Sequence, residues 1–177
     1  TQAGSIRFLS TTNTFTGSVL VRNGTTTFNQ AGSFGSAGNV ITLGQAGQGD
    51  AALLNVVGLS GLSAVPYPVV VAAGGGTRTL GSTNAASTSY TGGVTLDGDL
   101  TLLSVSTGSS VFTLSGAGVV GVGGLTKVGA GAALLSGSAA NTYTGLTTVS
   151  AGTLRLSKSG GVTAFGGNLL VNGGNLT

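Results

Sequence analysis

The sequence predicts an all-β chain wound as a right-handed parallel β-solenoid (β-helix) with no helix. Three observations carry that expectation: a composition hostile to helix, short apolar runs closed by glycine-rich corners, and an aromatic pentapeptide that returns along the chain. Glycine supplies 35 of the 177 residues and charged residues only 5%. There is no Glu, no Met and only two Lys, so the common helix formers are missing, while each glycine inside a helix costs about 1 kcal/mol. A hydrophobic fraction of 40% gives the chain enough apolar surface to bury, which argues against disorder. Thr, Ser and Asn fill the polar positions and Val, Leu and Ala the apolar ones, as suits strands and tight turns.

The pentapeptide sets the repeat. Asn141-Thr142-Tyr143-Thr144-Gly145 recurs as Asn13-Thr14-Phe15-Thr16-Gly17 and, more loosely, as Thr88-Ser89-Tyr90-Thr91-Gly92. The aromatic positions 15, 90 and 143 are 75 and 53 residues apart, a difference of 22. One interval holding one more coil than the other gives about 22 to 26 residues per coil, within the range of solenoid repeats. A second echo agrees: Ser33-Phe34-Gly35 follows Phe15, and Ala164-Phe165-Gly166 follows Tyr143, at nearly the same offset. The chain then makes roughly seven or eight coils, stacked at about 4.8 Å, as one segment over residues 1–177. An antiparallel sandwich would also use short strands, but it would not need the same corner chemistry to return every coil.

In chain order, Gly4 to Ser10 reads as a strand, as do Val40 to Leu43 and Leu169 to Val171. The apolar run Ala64 to Ala73 contains Pro66 and Pro68 and is half the roughly 20 residues of a membrane-spanning helix. Proline costs a central ladder its hydrogen bonds, so Ala64 to Pro68 is placed at a corner. Val94 to Leu102 alternates on both sides of the Asp97-Gly98 turn signal. Since strand side chains alternate, Leu135, Val149, Leu154 and Leu156 are expected to face inward, with Thr147 and Arg155 outward. Phe15, Tyr90 and Tyr143 are expected inside, in one structural role shared by three coils, each followed by a glycine that turns the backbone. Gly4 to Ser10 resembles Gly131 to Ser136, and Asn168 to Thr177 is a strand and turn with no cap. Both ends therefore read as the interior of a repeat that continues into flanking repeats of the same polypeptide or, head to tail, into copies of itself.

Chemistry has little to work with. The net charge of +3 comes from Arg7, Arg22, Arg78, Lys127, Arg155 and Lys158 against three Asp; these cations are scattered and form no nucleic-acid-binding patch. No His, Cys or Glu is present, which removes the common general bases, nucleophiles and zinc ligands. Asp50, Asp97 and Asp99 are the only carboxylates, and Asp97-Gly98-Asp99 reads as a turn rather than a paired acid. Gly47-Gln48-Gly49-Asp50 is a single copy of a pattern that binds calcium only in tandem. Gly74-Gly75-Gly76-Thr77-Arg78 lacks the Lys-Ser or Lys-Thr and the helix of a phosphate loop. Catalytic, cofactor-binding and metal-ligating residues are therefore expected to be absent. The pairs Thr14/Thr16, Thr77/Thr79 and Thr142/Thr144 resemble ice-binding faces, but they do not recur on every coil, and Thr is a good exposed strand residue. Corner Asn residues, Asn13, Asn23, Asn39, Asn141, Asn168 and Asn172, read as turn formers or stacked ladders.

Gly124-Leu125-Thr126-Lys127 with Gly129-Ala130-Gly131, then Asn141 to Gly145, then Ala151-Gly152-Thr153-Leu154, resemble the autotransporter-associated β-strand repeat of the passenger regions of large bacterial surface proteins. The likeness is strong over 121–177, moderate over 5–45 and weak between, and Ser18-Val19 departs from the usual pattern. The resemblance implies a non-catalytic structural segment of a stalk, surface layer or fibre, extracellular or on the bacterial cell surface, with no membrane-spanning segment and no nucleic-acid partner. It leaves an adhesin as the alternative, with loops such as Gln45 to Asp50 or Gly74 to Ala86 binding glycan or a surface. A polysaccharide-acting enzyme on such a scaffold is opposed by the scarcity of acids and the lack of His.

Overall fold

A computed structural model describes residues 4–9, 12–56, 64–83 and 87–177; Ser10 of the first expected strand and positions 84–86 of the Gly74–Ala86 loop lie outside them. The chain winds as a coil with up to three strands per turn. The first turn holds β1 (Ser5–Phe8) and β2 (Val19–Val21), the second β3 (Gly24–Phe28) and β4 (Ile41–Leu43), and the third β5 (Ala52–Val56) and β6 (Val69–Val71). Then come β7 (Arg78–Ser82), β8 (Thr88–Tyr90) and β9 (Val94–Leu96), followed by β10 (Leu100–Ser104), β11 (Val111–Leu114) and β12 (Val119–Gly121). The last turns hold β13 (Leu125–Val128) with β14 (Ala132–Gly137), β15 (Thr147–Val149) with β16 (Thr153–Lys158), and β17 (Leu169–Val171) with β18 (Asn175–Leu176). The one helical turn among the described residues is a four-residue 3-10 turn at Ala31–Phe34.

Three sheets result, all of parallel strands. Sheet A runs β1-β3-β5-β7-β10-β13-β15-β17; sheet B, visited second in each turn, runs β8-β11-β14-β16-β18; sheet C, visited third, runs β2-β4-β6-β9-β12. Along sheet A the partners Ser5, Thr25, Leu53, Thr79, Thr101, Thr126, Thr148 and Leu170 stand in one row, 20, 28, 26, 22, 25, 22 and 22 residues apart. The chain is thus a parallel β-solenoid of about seven turns, and seven steps at the usual strand spacing give a rod of about 34 Å.

Alternation fixes what enters the core. One inward row of sheet A reads Ile6, Thr26, Leu54, Leu80, Leu102, Lys127, Val149 and Val171, and the next reads Gly24, Ala52, Arg78, Leu100, Leu125, Thr147 and Leu169. Facing them are Ile41, Leu43, Val69, Val71, Val94 and Leu96 from sheet C and Phe112, Leu114, Ala133, Leu135 and Leu154 from sheet B, all buried in one cluster. In the first turns Phe34 packs against Phe8, Phe28 and Tyr67 with ring centroids 5.1, 4.8 and 5.7 Å away, arrangements that add to simple area burial. Pro66 and Pro68 sit at a corner: Val65 bridges to Tyr90 and Pro68 O accepts from Ile41 N.

Leu135, Val149 and Leu154 are fully buried, Leu156 packs partly buried against the core, and Arg155 is exposed. Thr147, expected outside, is fully buried. It lies two residues from Val149 on the same strand, so the pleat puts both on one face. Its Oγ1 is 2.6 Å from the Tyr143 hydroxyl, which makes an inward threonine tolerable.

The three pentapeptides do not share one role. Tyr90 and Tyr143 are fully buried, but Phe15 is 39% exposed, because its coil has a neighbour on one side only. Measured from the sheet A row at Ser5, Thr79 and Thr126, the aromatics come 10, 11 and 17 residues on. Tyr90 sits within β8, whereas the Tyr143 segment has moved one side further and stacks over β12, with Thr142 N donating to Val119 O and Thr144 N to Gly121 O. What does persist is the asparagine. Asn13 Nδ2 donates to Ser33 O at 2.6 Å and Asn141 Nδ2 to Ala164 O at 2.7 Å, each one coil on and one residue before a phenylalanine. The two echoes seen in the sequence are therefore two halves of one contact. The glycine also acts differently from expectation. Gly145 has no positive φ; a Cβ there would lie 2.3 Å from the Gly123 carbonyl carbon, so it permits close coil stacking.

Candidate functional site

The corner at which the chain leaves sheet C and re-enters sheet A shows the largest departure from regular coiling. The connections there are residues 22–23, 44–51, 72–77, 97–99 and 122–124. Two of the five, 44–51 and 72–77, are much longer than the others and lie in adjacent coils. Their residues account for most of the excess length of the 28- and 26-residue turns.

These two loops are tied together from inside by Arg78, the first residue of β7. The loop expected at Gly74 to Arg78 ends one residue sooner, since Arg78 is already in the strand and only 1% exposed. Its Nη1 donates to Asp50 O at 2.6 Å and its Nη2 to Gln48 O at 3.0 Å, so backbone carbonyls of the first loop receive the guanidinium. Nε is buried without a partner. Glycines make the room: a Cβ on Gly44 would fall 1.7 Å from Arg78 Nε and one on Gly76 2.3 Å from Nη1. Burying a cation without a carboxylate is costly. No core layer requires it here, since Ala52 and Leu100 fill the same row on either side.

Outside the loops lies a groove of about 200 Å³. Asn23, Ala51 and Thr77 form its corner row, and Thr25, Leu53 and Thr79 its sheet row. The lining carries no charge; the nearest ion pair, Arg22 Nε to Asp50 Oδ2 at 3.6 Å, involves the residues that precede Asn23 and Ala51. Of the three threonine pairs singled out in the sequence, Thr77/Thr79 is therefore in the groove, while Thr14/Thr16 and Thr142/Thr144 are exposed elsewhere. The longer hydroxyl row along sheet A, Ser5, Thr25, Thr79, Thr101, Thr126 and Thr148, was hidden in the sequence because coils of unequal length obscure its period.

The carboxylates do not converge. Asp97 and Asp99 are exposed at a turn, where Asp99 Oδ1 accepts from Gly124 N at 2.7 Å, and Asp50 is in the distant loop. Among the described residues no three His, Cys, Asp or Glu come together as a metal site, and no helix is long and apolar enough to cross a membrane.

A second buried cation was equally invisible in the sequence. Lys127 occupies the inward row between Leu102 and Val149. Its Nζ donates to Val128 O, Gly129 O and Ala151 O at 2.7, 2.8 and 3.2 Å, and desolvation pulls its pKa from 10.5 down to about 8. Lys158, which donates to Ala139 O, is lowered for the same reason. Between pH 8 and 10.5 the unfolded chain holds a proton that folded Lys127 has released, so stability rises with pH across that window. Above pH 10 burial of Tyr90, Tyr67 and Tyr143, whose pKa values are raised, works the other way, because only the unfolded phenols ionise. Urea unfolding is expected to show stability climbing by roughly 1–3 kcal/mol from about pH 8 to about pH 10 and then falling. Lys127→Met should remove most of the climb.

Residues 125–156 match the family model of the passenger-associated-transport-repeat. This stretch spans β13, β14, the Tyr143 segment, β15 and the first half of β16, slightly more than one full turn of the solenoid. No curated protein and no solved structure matches the chain.

Proposed function

We propose that this chain is a structural segment of an extracellular or cell-surface rod: a stalk, surface layer or fibre built by stacking turns like that of residues 125–156. The observation that carries this reading is the uninterrupted inward rows of sheet A, which end on exposed apolar residues, Ile6 at 53% and Val171 at 47%. A further turn placed on either face would extend the same rows and bury those side chains, at about 25 cal/mol for each Å² of apolar surface removed from water. The partners are then flanking repeats of the same polypeptide or further copies of the chain. The passenger-type repeat supports an address outside the cell. Electron microscopy of intact source cells, immunogold-labelled with antibodies against this chain, tests the reading. Label on outer-surface filaments or layers is expected; label confined to the cell interior would contradict it.

Adhesion is a second reading, favoured by one specific observation: the two long loops and the groove beside them.

A further inference from the structure

We propose that the groove between the corner row Asn23, Ala51, Thr77 and the sheet row Thr25, Leu53, Thr79 binds a neutral carbohydrate, with Arg78 as the residue that positions its walls. The proposal rests on the adhesive reading and assigns it a place and a ligand class.

Three observations converge. The groove lies where the coil departs most from its minimum, beside the loops at 44–51 and 72–77, whereas the other connections at this corner have two or three residues. Loops held on a rigid scaffold are where proteins place binding groups. Those loops are also fixed at a cost. Arg78 is buried with its guanidinium on Asp50 O and Gln48 O, its Nε unpartnered, and glycine at 44, 74 and 76 giving it space. A solenoid of ordinary turns needs no such device, as the short corners at 97–99 and 122–124 show. A loop ordered in advance loses less entropy when a ligand arrives.

The third observation is the chemistry of the lining. An amide and three hydroxyls can each donate and accept, and the methyl groups of Ala51 and Leu53 lie between them. Sugar rings present the same mixture, hydroxyls around the edge and C–H groups on the faces. No side chain in the lining offers a charge to a sulfated, sialylated or phosphorylated ligand. Arg22 and Asp50 at the rim neutralise one another at 3.6 Å. The volume of about 200 Å³ suits one sugar unit with its neighbours extending along the rod.

The test uses the full chain, isotopically labelled, titrated by NMR to high millimolar concentration with cellobiose, maltose, lactose and N,N′-diacetylchitobiose, and with sialyllactose as the charged comparison. At least one neutral disaccharide is expected to shift the signals of Asn23, Thr25, Thr77 and Thr79 and to leave those of sheet B in place, with sialyllactose weaker. Leu53→Arg fills the groove from an outward position and should weaken binding by roughly tenfold or more. Thr126→Arg, in the same outward row but away from the groove, should leave it unchanged. Both variants must keep the parent's circular dichroism spectrum and melting temperature. Arg78→Lys keeps a cation but loses the planar fork, and should weaken binding while broadening the signals of residues 45–50. The proposal is overturned if no neutral disaccharide shifts these signals, if Leu53→Arg binds as well as the parent, or if sialyllactose binds as tightly as the neutral sugars. Such a failure would leave the rod reading standing, because surface label in microscopy does not depend on the groove.

Discussion

Leu154→Asp is expected to destabilise the chain by about 3–5 kcal/mol, the range for a charge buried without a partner. Leu154 is fully buried in β16, paired with Ala133 on one side and Leu176 on the other. Its neighbour Arg155 pairs with Leu134 on the outer face and is exposed, so Arg155→Ala should change stability by no more than about 0.5 kcal/mol. Denaturant melts of the two variants read the pleat of sheet B directly. Equal stability of Leu154→Asp and the parent would mean that the strand is placed one residue out of register.

The second large effect belongs to Tyr143. Its ring is fully buried and its hydroxyl lies 2.6 Å from Thr147 Oγ1. Tyr143→Ala should cost about 3–5 kcal/mol through the cavity it leaves. Tyr143→Phe keeps the ring and removes one member of a buried hydroxyl pair, for about 1–3 kcal/mol. Phe15→Ala, the same change in the first pentapeptide, should cost distinctly less than Tyr143→Ala, because Phe15 is 39% exposed. Thermal unfolding of the three variants gives the ranking. A Phe15→Ala loss as large as that of Tyr143→Ala would put the first pentapeptide back in the core.

Much of this architecture was legible because local rules suffice for it. Glycine content and the Val, Leu and Thr runs exclude helix, and the returning pentapeptide with its Phe-Gly echo gives a coil of the observed length. The inward set of the final turns followed from alternation alone, and the one failure, Thr147, came from polarity being allowed to outweigh alternation. A threonine can sit inside when another buried hydroxyl meets it, and Tyr143 is four residues away in the chain. Phe15 failed for a different reason: burial depends on having coils on both sides, which no local pattern records.

The candidate site was the least legible part. Gln45–Asp50 and Gly74–Ala86 stood out as loops, but nothing in the sequence says that Arg78 ties one to the other from within, 28 and 30 residues from its two acceptors. A cation on the inward side of a strand is legible in hindsight from Arg78-Thr79-Leu80 and Leu125-Thr126-Lys127. In both, the residue two away is an apolar core residue, and the glycines nearby mark where a long side chain is accommodated. The groove required three-dimensional register, since Thr25, Leu53 and Thr79 become neighbours only when turns of 28 and 26 residues are aligned.

The parallel stacking of successive turns, one coil per step, is tested most directly by cross-linking, since the chain has no cysteine to interfere. Thr126 and Thr148 are register partners on the outer face of sheet A, and Leu170 is the next in that row. Adjacent parallel strands hold such partners about 4.8 Å apart, inside the Cα range of a disulfide, whereas two steps exceed the limit of about 7 Å. Thr126→Cys with Thr148→Cys should oxidise quantitatively to an intramolecular disulfide in the folded protein, and Thr126→Cys with Leu170→Cys should not. Ready closure of the second pair with failure of the first, measured by mass spectrometry under native conditions, would contradict the solenoid register.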